Sequence, residues 1–140
     1  MLWNNPPDAP GPEPDKDKWR FFHYWRDLDG TWHDQRLPCY GRKPSVLADP
    51  HGDLVLVFTQ PDNLEYHQFD PGGPLRIWTA SAASGWTDWH ELYVSPTAFV
   101  GEPRLDRYRW RDGVLSVYAQ AAPSQPGEPS ALHVMEFVWR

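Results

Sequence analysis

Two stretches of this chain, 60 positions apart, follow one plan. "GRKPSVLADPHGDLVLVFTQ" begins at Gly41 and "GEPRLDRYRWRDGVLSVYAQ" at Gly101. Each opens on Gly, reaches Pro within three residues, passes through a Gly-containing turn and closes on an apolar run that ends in Gln (Gln60, Gln120). A second pair, "YWRDLDGTWHDQRLP" and "IWTASAASGWTDWHELYVSP", carries Gly and Trp at a turn, with Gly30 and Gly85 55 positions apart. Two hairpins therefore recur with a period of about 55–60 residues, which makes four strands per period. A repeated four-stranded antiparallel unit is a propeller blade, so the expected fold is all-β, a β-propeller fragment of about two and a half blades. A small β-sandwich is the alternative that this length also allows.

The residues between the repeats agree with short strands. Sixteen Pro and ten Gly in 140 residues interrupt every window that a helix would need, so no helix is expected. With 40% hydrophobic residues and nine Trp there is enough apolar surface for a core. The blade pattern divides a single 1–140 unit into three parts. Residues 1–40 end one blade and contain a Pro-rich loop at 6–18, residues 41–96 make a full blade, and residues 97–140 make a last, incomplete one. In "WRFFHYWRD", alternation puts Trp19, Phe21, His23 and Trp25 on one strand face and Arg20, Phe22, Tyr24 and Arg26 on the other. "RLDRYRWRD" reads the same way, with Arg107 and Arg109 on one face and Asp106, Tyr108 and Trp110 on the other.

Several function classes are disfavoured at once. The net charge is −6 and the basic residues are scattered, which does not suit a nucleic-acid partner. No apolar run is long enough for a bilayer-spanning helix, and no membrane partner is expected. A single cysteine, Cys39, leaves no internal disulfide framework. There is no Gly-rich phosphate loop, no Cys–His nucleophile pair and no Gly-x-Ser-x-Gly, so no cofactor is expected and no catalytic residue is assigned. The first residues lack a basic segment followed by an apolar one; a signal peptide upstream of Met1 would make the protein secreted or periplasmic.

Taken in order, "HYWRDLDGTWHDQRLP", "GRKPSVLADPHGDLVLVF", "LRIWTASAASGWTDW" and "GEPRLDRYRWRDGVLSV" resemble the C-terminal part of BNR-repeat-containing proteins (bacterial neuraminidase repeats, sialidase-like) over nearly the whole chain. The Asp-box pattern Ser-x-Asp-x-Gly-x-Thr-Trp is met only loosely by "RDLDGTW", and "SAASGWTDW" lacks the Asp before Gly. The resemblance implies a carbohydrate-active β-propeller, a polysaccharide lyase or glycosidase on an acidic polysaccharide, of which this chain is the last third. The implied partners are a polysaccharide or oligosaccharide and the N-terminal blades of the same protein; the fragment alone is inactive if the catalytic residues lie in those blades. The alternative is a non-catalytic glycan-binding or scaffolding propeller module.

Candidate site residues follow from the blade plan. The loops between blades and the loops after each second strand share one rim, together with the starts of the first strands. That rim carries Tyr40, Arg42 and Lys43; Glu65, Tyr66 and His67; and Glu102 and Arg104. Tyr40, Arg42, Lys43, Tyr66, His67 and Arg104 are the expected substrate-binding residues. Cations hold and neutralise a sugar carboxylate, and a His or Tyr can take the proton next to it. Asp27, Asp29 and Asp88 are read as turn-forming side chains that bond to nearby N–H groups. His23, His33, Cys39 and His51 have spacings that match no compact metal pattern, and no metal is expected.

Overall fold

A computed structural model describes residues 20–61 and 72–139. The protein is all-β. A hairpin of β1 (Phe22–Arg26) and β2 (Trp32–Arg36) precedes β3 (Arg42–Ala48), β4 (Leu54–Thr59), β5 (Gly73–Ala80), β6 (His90–Leu105), β7 (Val114–Ala121) and β8 (Leu132–Val138). The last six form one antiparallel sheet in chain order, curled into a half-barrel.

Alternation decides what each face of the sheet buries. In "LVLVFT" of β4, Val55 and Val57 point into the curl, while Leu56 and Phe58 point outward, and all four are buried. The inner core joins Leu47, Val55, Val57, Leu75 and Ile77 to Phe99, Leu115, Val117 and Ala119, and Met135, Phe137, Trp110 and Trp139 pack against it. The outer core joins Leu56, Phe58, Ala80 and Trp89 to Phe21, Leu37 and Cys39 of the hairpin and its flanks. The hairpin thus lies over the outer side of β4 and β5, and a second layer of strands lies across the inner side.

The longest strand, β6, reverses the direction of the chain. Its first half pairs with β5, from Thr79↔His90 to Gly73↔Phe99. Three antiparallel steps separate that half from β3, so the two run oppositely. Its second half runs with β3: Thr59 Oγ1, beside Arg42, donates to Gly101 O (2.9 Å), Ser45 Oγ to Pro103 O (3.3 Å), and Trp110 Nε1 to Ala48 O (2.8 Å). The chain therefore bends back near the middle of β6. There the β6–β7 register slips between Val100 and Arg104, and Gly101 sits at φ +69°, where an L side chain is strained. The expected boundary between residues 96 and 97 falls inside this continuous strand.

One expectation is overturned. Arg107–Arg111 is a short helix, α1, and not a strand, so Arg107 and Arg109 do not share a strand face. The cause is the preceding aspartate. Asp106 is extended (φ −81°, ψ 102°), and its Oδ1 accepts from Tyr108 N (2.8 Å) and Arg109 N (3.1 Å). Those bonds, from Arg109 first and Tyr108 second, hold its carboxyl below the usual range. Replacing Asp106 by Ala is expected to lower the thermal midpoint by about 3–5 °C, read by circular dichroism. A second short helical turn, at Ala82–Ser84, lies in the β5–β6 connection, capped by Ser81 and closed by Gly85 at φ +66°.

Candidate functional site

The rim is built from two bulges that the repeat places side by side. β3 loses register with β4 between Arg42 and Ser45, where Pro44 has no N–H to give the ladder. β6 loses register with β7 between Val100 and Arg104, where Pro103 has the same effect. Each slip therefore falls on the Gly-x-(x)-Pro motif of its repeat. The two repeat glycines serve different ends. Gly101 supplies the positive φ; at Gly41 a Cβ would stand 2.5 Å from both Phe58 Cδ2 and Thr59 O.

The bulges meet through charge. Lys43 Nζ lies 2.5 Å from Glu102 Oε1, and Arg104 Nη2 lies 3.5 Å from Glu102 Oε2. Glu102 is the more buried hub, while the Lys43 and Arg104 side chains are mostly exposed. Arg42 precedes Lys43 and pairs with Thr59, whose hydroxyl reaches Gly101. Two cations, Lys43 and Arg104, thus share one carboxylate on a chain of net charge −6, with Arg42 next to Lys43 in sequence. Such a cluster can accept a sugar carboxylate or another anion, with the Arg side chains able to bind it bidentately.

The other expected residues separate from this group. Tyr40 is engaged by the hairpin, with the Arg20 guanidinium 5.8 Å from its ring centroid. Glu65, Tyr66 and His67 lie outside the described residues. Pro61 and Gly72, which flank that segment, stand at the rim end of β4 and β5, where a Cβ on Gly72 would meet Phe99 O at 2.6 Å.

The turn aspartates do what local chemistry asks of them. Asp29 Oδ1 accepts from Thr31 N (2.9 Å), a bond that lowers its pKa. Asp88 accepts from Ser84 Oγ (2.6 Å), Ser81 N (2.8 Å) and Ser81 Oγ (3.0 Å), and these bonds, Ser84's first, bring its pKa down to about 2. Asp27 differs from expectation: its Oδ2 lies 2.7 Å from the ring Nε2 of His33 across the hairpin, and the His33 ring stacks on Trp25. The signal was present in the sequence, since a two-strand register that pairs Trp25 with His33 closes the turn around Asp27.

His23, His33, Cys39 and His51 do not come together. His23 stacks on Trp25 at 4.7 Å between centroids and meets Trp86 and Trp89 edge-on. Burial pushes the Cys39 thiol up to about 12, which leaves it a protonated, unreactive core side chain. His51 N donates to Asp49 Oδ1 (2.8 Å) in the β3–β4 turn. Among the described residues no three His, Cys, Asp or Glu side chains form a metal-binding group.

No protein-family model matches the chain, and no curated protein is significantly similar to it.

Proposed function

We propose that this chain is the C-terminal part of a carbohydrate-active β-propeller of BNR-repeat type, and that its rim binds the carboxylates of an acidic polysaccharide. The fold part rests on the order of layers. The hairpin stacks on the outer face of β4 and β5, and the second half of β6 with β7 and β8 stacks on the inner face. Consecutive antiparallel units, each opened by Gly-x-(x)-Pro and stacked face to face, follow the plan of propeller blades. The functional part rests on one observation: the two repeat bulges bring Lys43 and Arg104 onto Glu102 on an acidic chain. Glu102 is shared by two cations, Lys43 and Arg104, so the group carries a net positive charge that an anion would offset.

Binding without cleavage is the second reading. The described part of the rim supplies cations for grip, whereas Tyr66 and His67, the residues with proton-transfer chemistry, lie outside the described residues. Calorimetric titration with polygalacturonate and alginate tests both. The wild-type chain is expected to bind at least one of them with an affinity that falls as salt rises. Lys43→Ala with Arg104→Ala is expected to weaken binding by about tenfold or more. A double variant that binds as well as wild type, or a chain that binds no polyuronate, overturns the rim assignment. A rise in unsaturated-product absorbance in the same mixtures selects the lyase over the binding module.

A further inference from the structure

The two edges of the six-stranded sheet are treated very differently. An open strand edge is a row of unpaired N–H and C=O groups that invites another strand. At the β3 edge, "RKPSVLA" carries Lys43, Pro44 and a bulge, all of which discourage pairing. At the β8 edge, "LHVMEFV" has no Lys and no Pro, and its register with β7 is unbroken from Gln120↔Leu132 to Val114↔Val138. Among the described residues nothing pairs with its outer side. The outward face of the strand is apolar and open: Leu132 is 68% exposed, Val134 55% and Val138 70%. The one charge on that face, Glu136, lies 3.2 Å from Arg109 Nη2.

The backbone says which residues are available. Trp139 N donates to Gly113 O and Ala121 N donates to Ala131 O, so the odd-numbered residues of this segment bond to β7. The even-numbered residues Leu132, Val134, Glu136 and Val138 therefore turn their N–H and C=O toward the open edge. A strand added there must pair with those four.

We propose that β8 pairs with β8 of a second copy of this chain, antiparallel and centred on Met135. This register sets Leu132 opposite Val138 of the second copy, and Val134 opposite its Glu136. It uses all four outward-facing residues on each strand, making about eight backbone hydrogen bonds. It also pairs apolar with apolar at both ends and places no like charges opposite one another. Sliding the centre to Glu136 would oppose two glutamates. Sliding it to Val134 would also set an apolar residue, Leu132, against a glutamate, and it would leave Val138 with no partner in β8, cutting the backbone bonds to about six. The strand is therefore complementary to itself in one register, and the resulting dimer is two-fold symmetric. The proposal concerns the chain by itself and does not depend on the carbohydrate reading.

Sedimentation equilibrium of the 140-residue chain, over about a hundredfold range of concentration, tests it together with two substitutions at one site. The wild type is expected to pass from monomer to dimer, and more readily as salt screens its net charge of −6. Val134→Glu puts two pairs of glutamates face to face and is expected to raise the dimer Kd by about tenfold or more. Val134→Lys faces the same Glu136 with an opposite charge and is expected to bind as tightly as wild type or more so. Position 134 is exposed, so both variants should fold, and circular dichroism checks this. A chain that stays monomeric overturns the proposal. So does equal weakening by Glu and Lys, and so do β8 amides protected from hydrogen exchange in a monomer, which would mean that another part of the chain covers the edge.

Discussion

Phe58→Ala is expected to cost about 3–5 kcal/mol of folding stability, the largest loss foreseen for any single truncation in this protein. Phe58 is fully buried on the outer face of β4 and meets Phe21 edge-on, with ring centroids 5.0 Å apart at 82°. It belongs to the cluster that seats the hairpin on the sheet, along with Leu37, Cys39, Leu56, Ala80 and Trp89. Truncation removes the transfer energy of the ring and leaves a void that its neighbours cannot easily fill. Gly41 lies directly against the ring and has no side chain to move in. The measurement is urea unfolding followed by tryptophan fluorescence. The midpoint should fall without a large change in slope, and amides of β1 and β2 should exchange faster than those of β7. Tyr108→Ala, at an exposed position on α1, serves as the control and should stay within about 0.5 kcal/mol of wild type. A Phe58→Ala protein as stable as this control would mean that the outer cluster does not hold the hairpin.

Much of this architecture could be read from the chain because Pro and Gly punctuate it so heavily. Hairpins at "DLDG", "DPHGD" and "SGWTDW" follow from turn chemistry that acts within a few residues, and the structure has turns at all three. The alternation of β1 also holds: Phe21 and His23 are buried, while Tyr24 and Arg26 are exposed. The helix at Arg107 was hidden by its own composition. Tyr and Trp favour strands, and five residues are too few to show a helical period, so the cap at Asp106 was the one available clue. The bend in β6 was hidden for another reason. It depends on a glycine at positive φ and a slipped register, neither of which a strand pattern shows.

The sequence could nominate residues near the Gly-x-(x)-Pro motifs but not their side-chain partners. Arg42, Lys43 and Arg104 could be chosen because they lie in or next to the Gly-x-(x)-Pro motifs that open each repeat. The Arg104–Glu102 contact is local, two residues apart on β6, but the Lys43–Glu102 contact joins β3 to β6 across 59 positions and leaves no trace in local sequence. Tyr40 is a similar case. Its ring lies against Arg20, just ahead of β1, a contact that local sequence does not reveal.

Acid should weaken the hairpin's attachment before it affects anything else, and His23 is the reason. The ring is 6% exposed, packed among Trp25, Trp86 and Trp89, and its Nδ1 has no hydrogen-bond partner among the described residues. Burial therefore disfavours the charged form and brings its pKa from 6.5 down to about 4. Between those two values the unfolded chain binds the proton more readily than the folded one, so stability must fall as the pH drops through this window. The contribution is whole above about pH 6.5, is lost progressively toward pH 4 and changes no further below that, with a total of up to about 3 kcal/mol. The carboxylates act lower. Asp88, with a pKa brought down to about 2, stabilises the fold above its unfolded value near 3.8 and loses that effect as the pH falls through its folded value. The two windows are thus separate, and one substitution can distinguish them. His23→Phe keeps an aromatic ring against the same tryptophans and has nothing to protonate. Urea midpoints measured from pH 7.5 to pH 4 should fall steeply for the wild type and stay nearly level for His23→Phe, with the variant the more stable of the two at pH 4.5. Asp88→Asn should keep the steep wild-type slope over that range. If His23→Phe loses as much stability as the wild type between pH 7.5 and pH 4.5, the group that titrates there is not His23, and the tryptophan cluster is not the part of the fold that acid opens first.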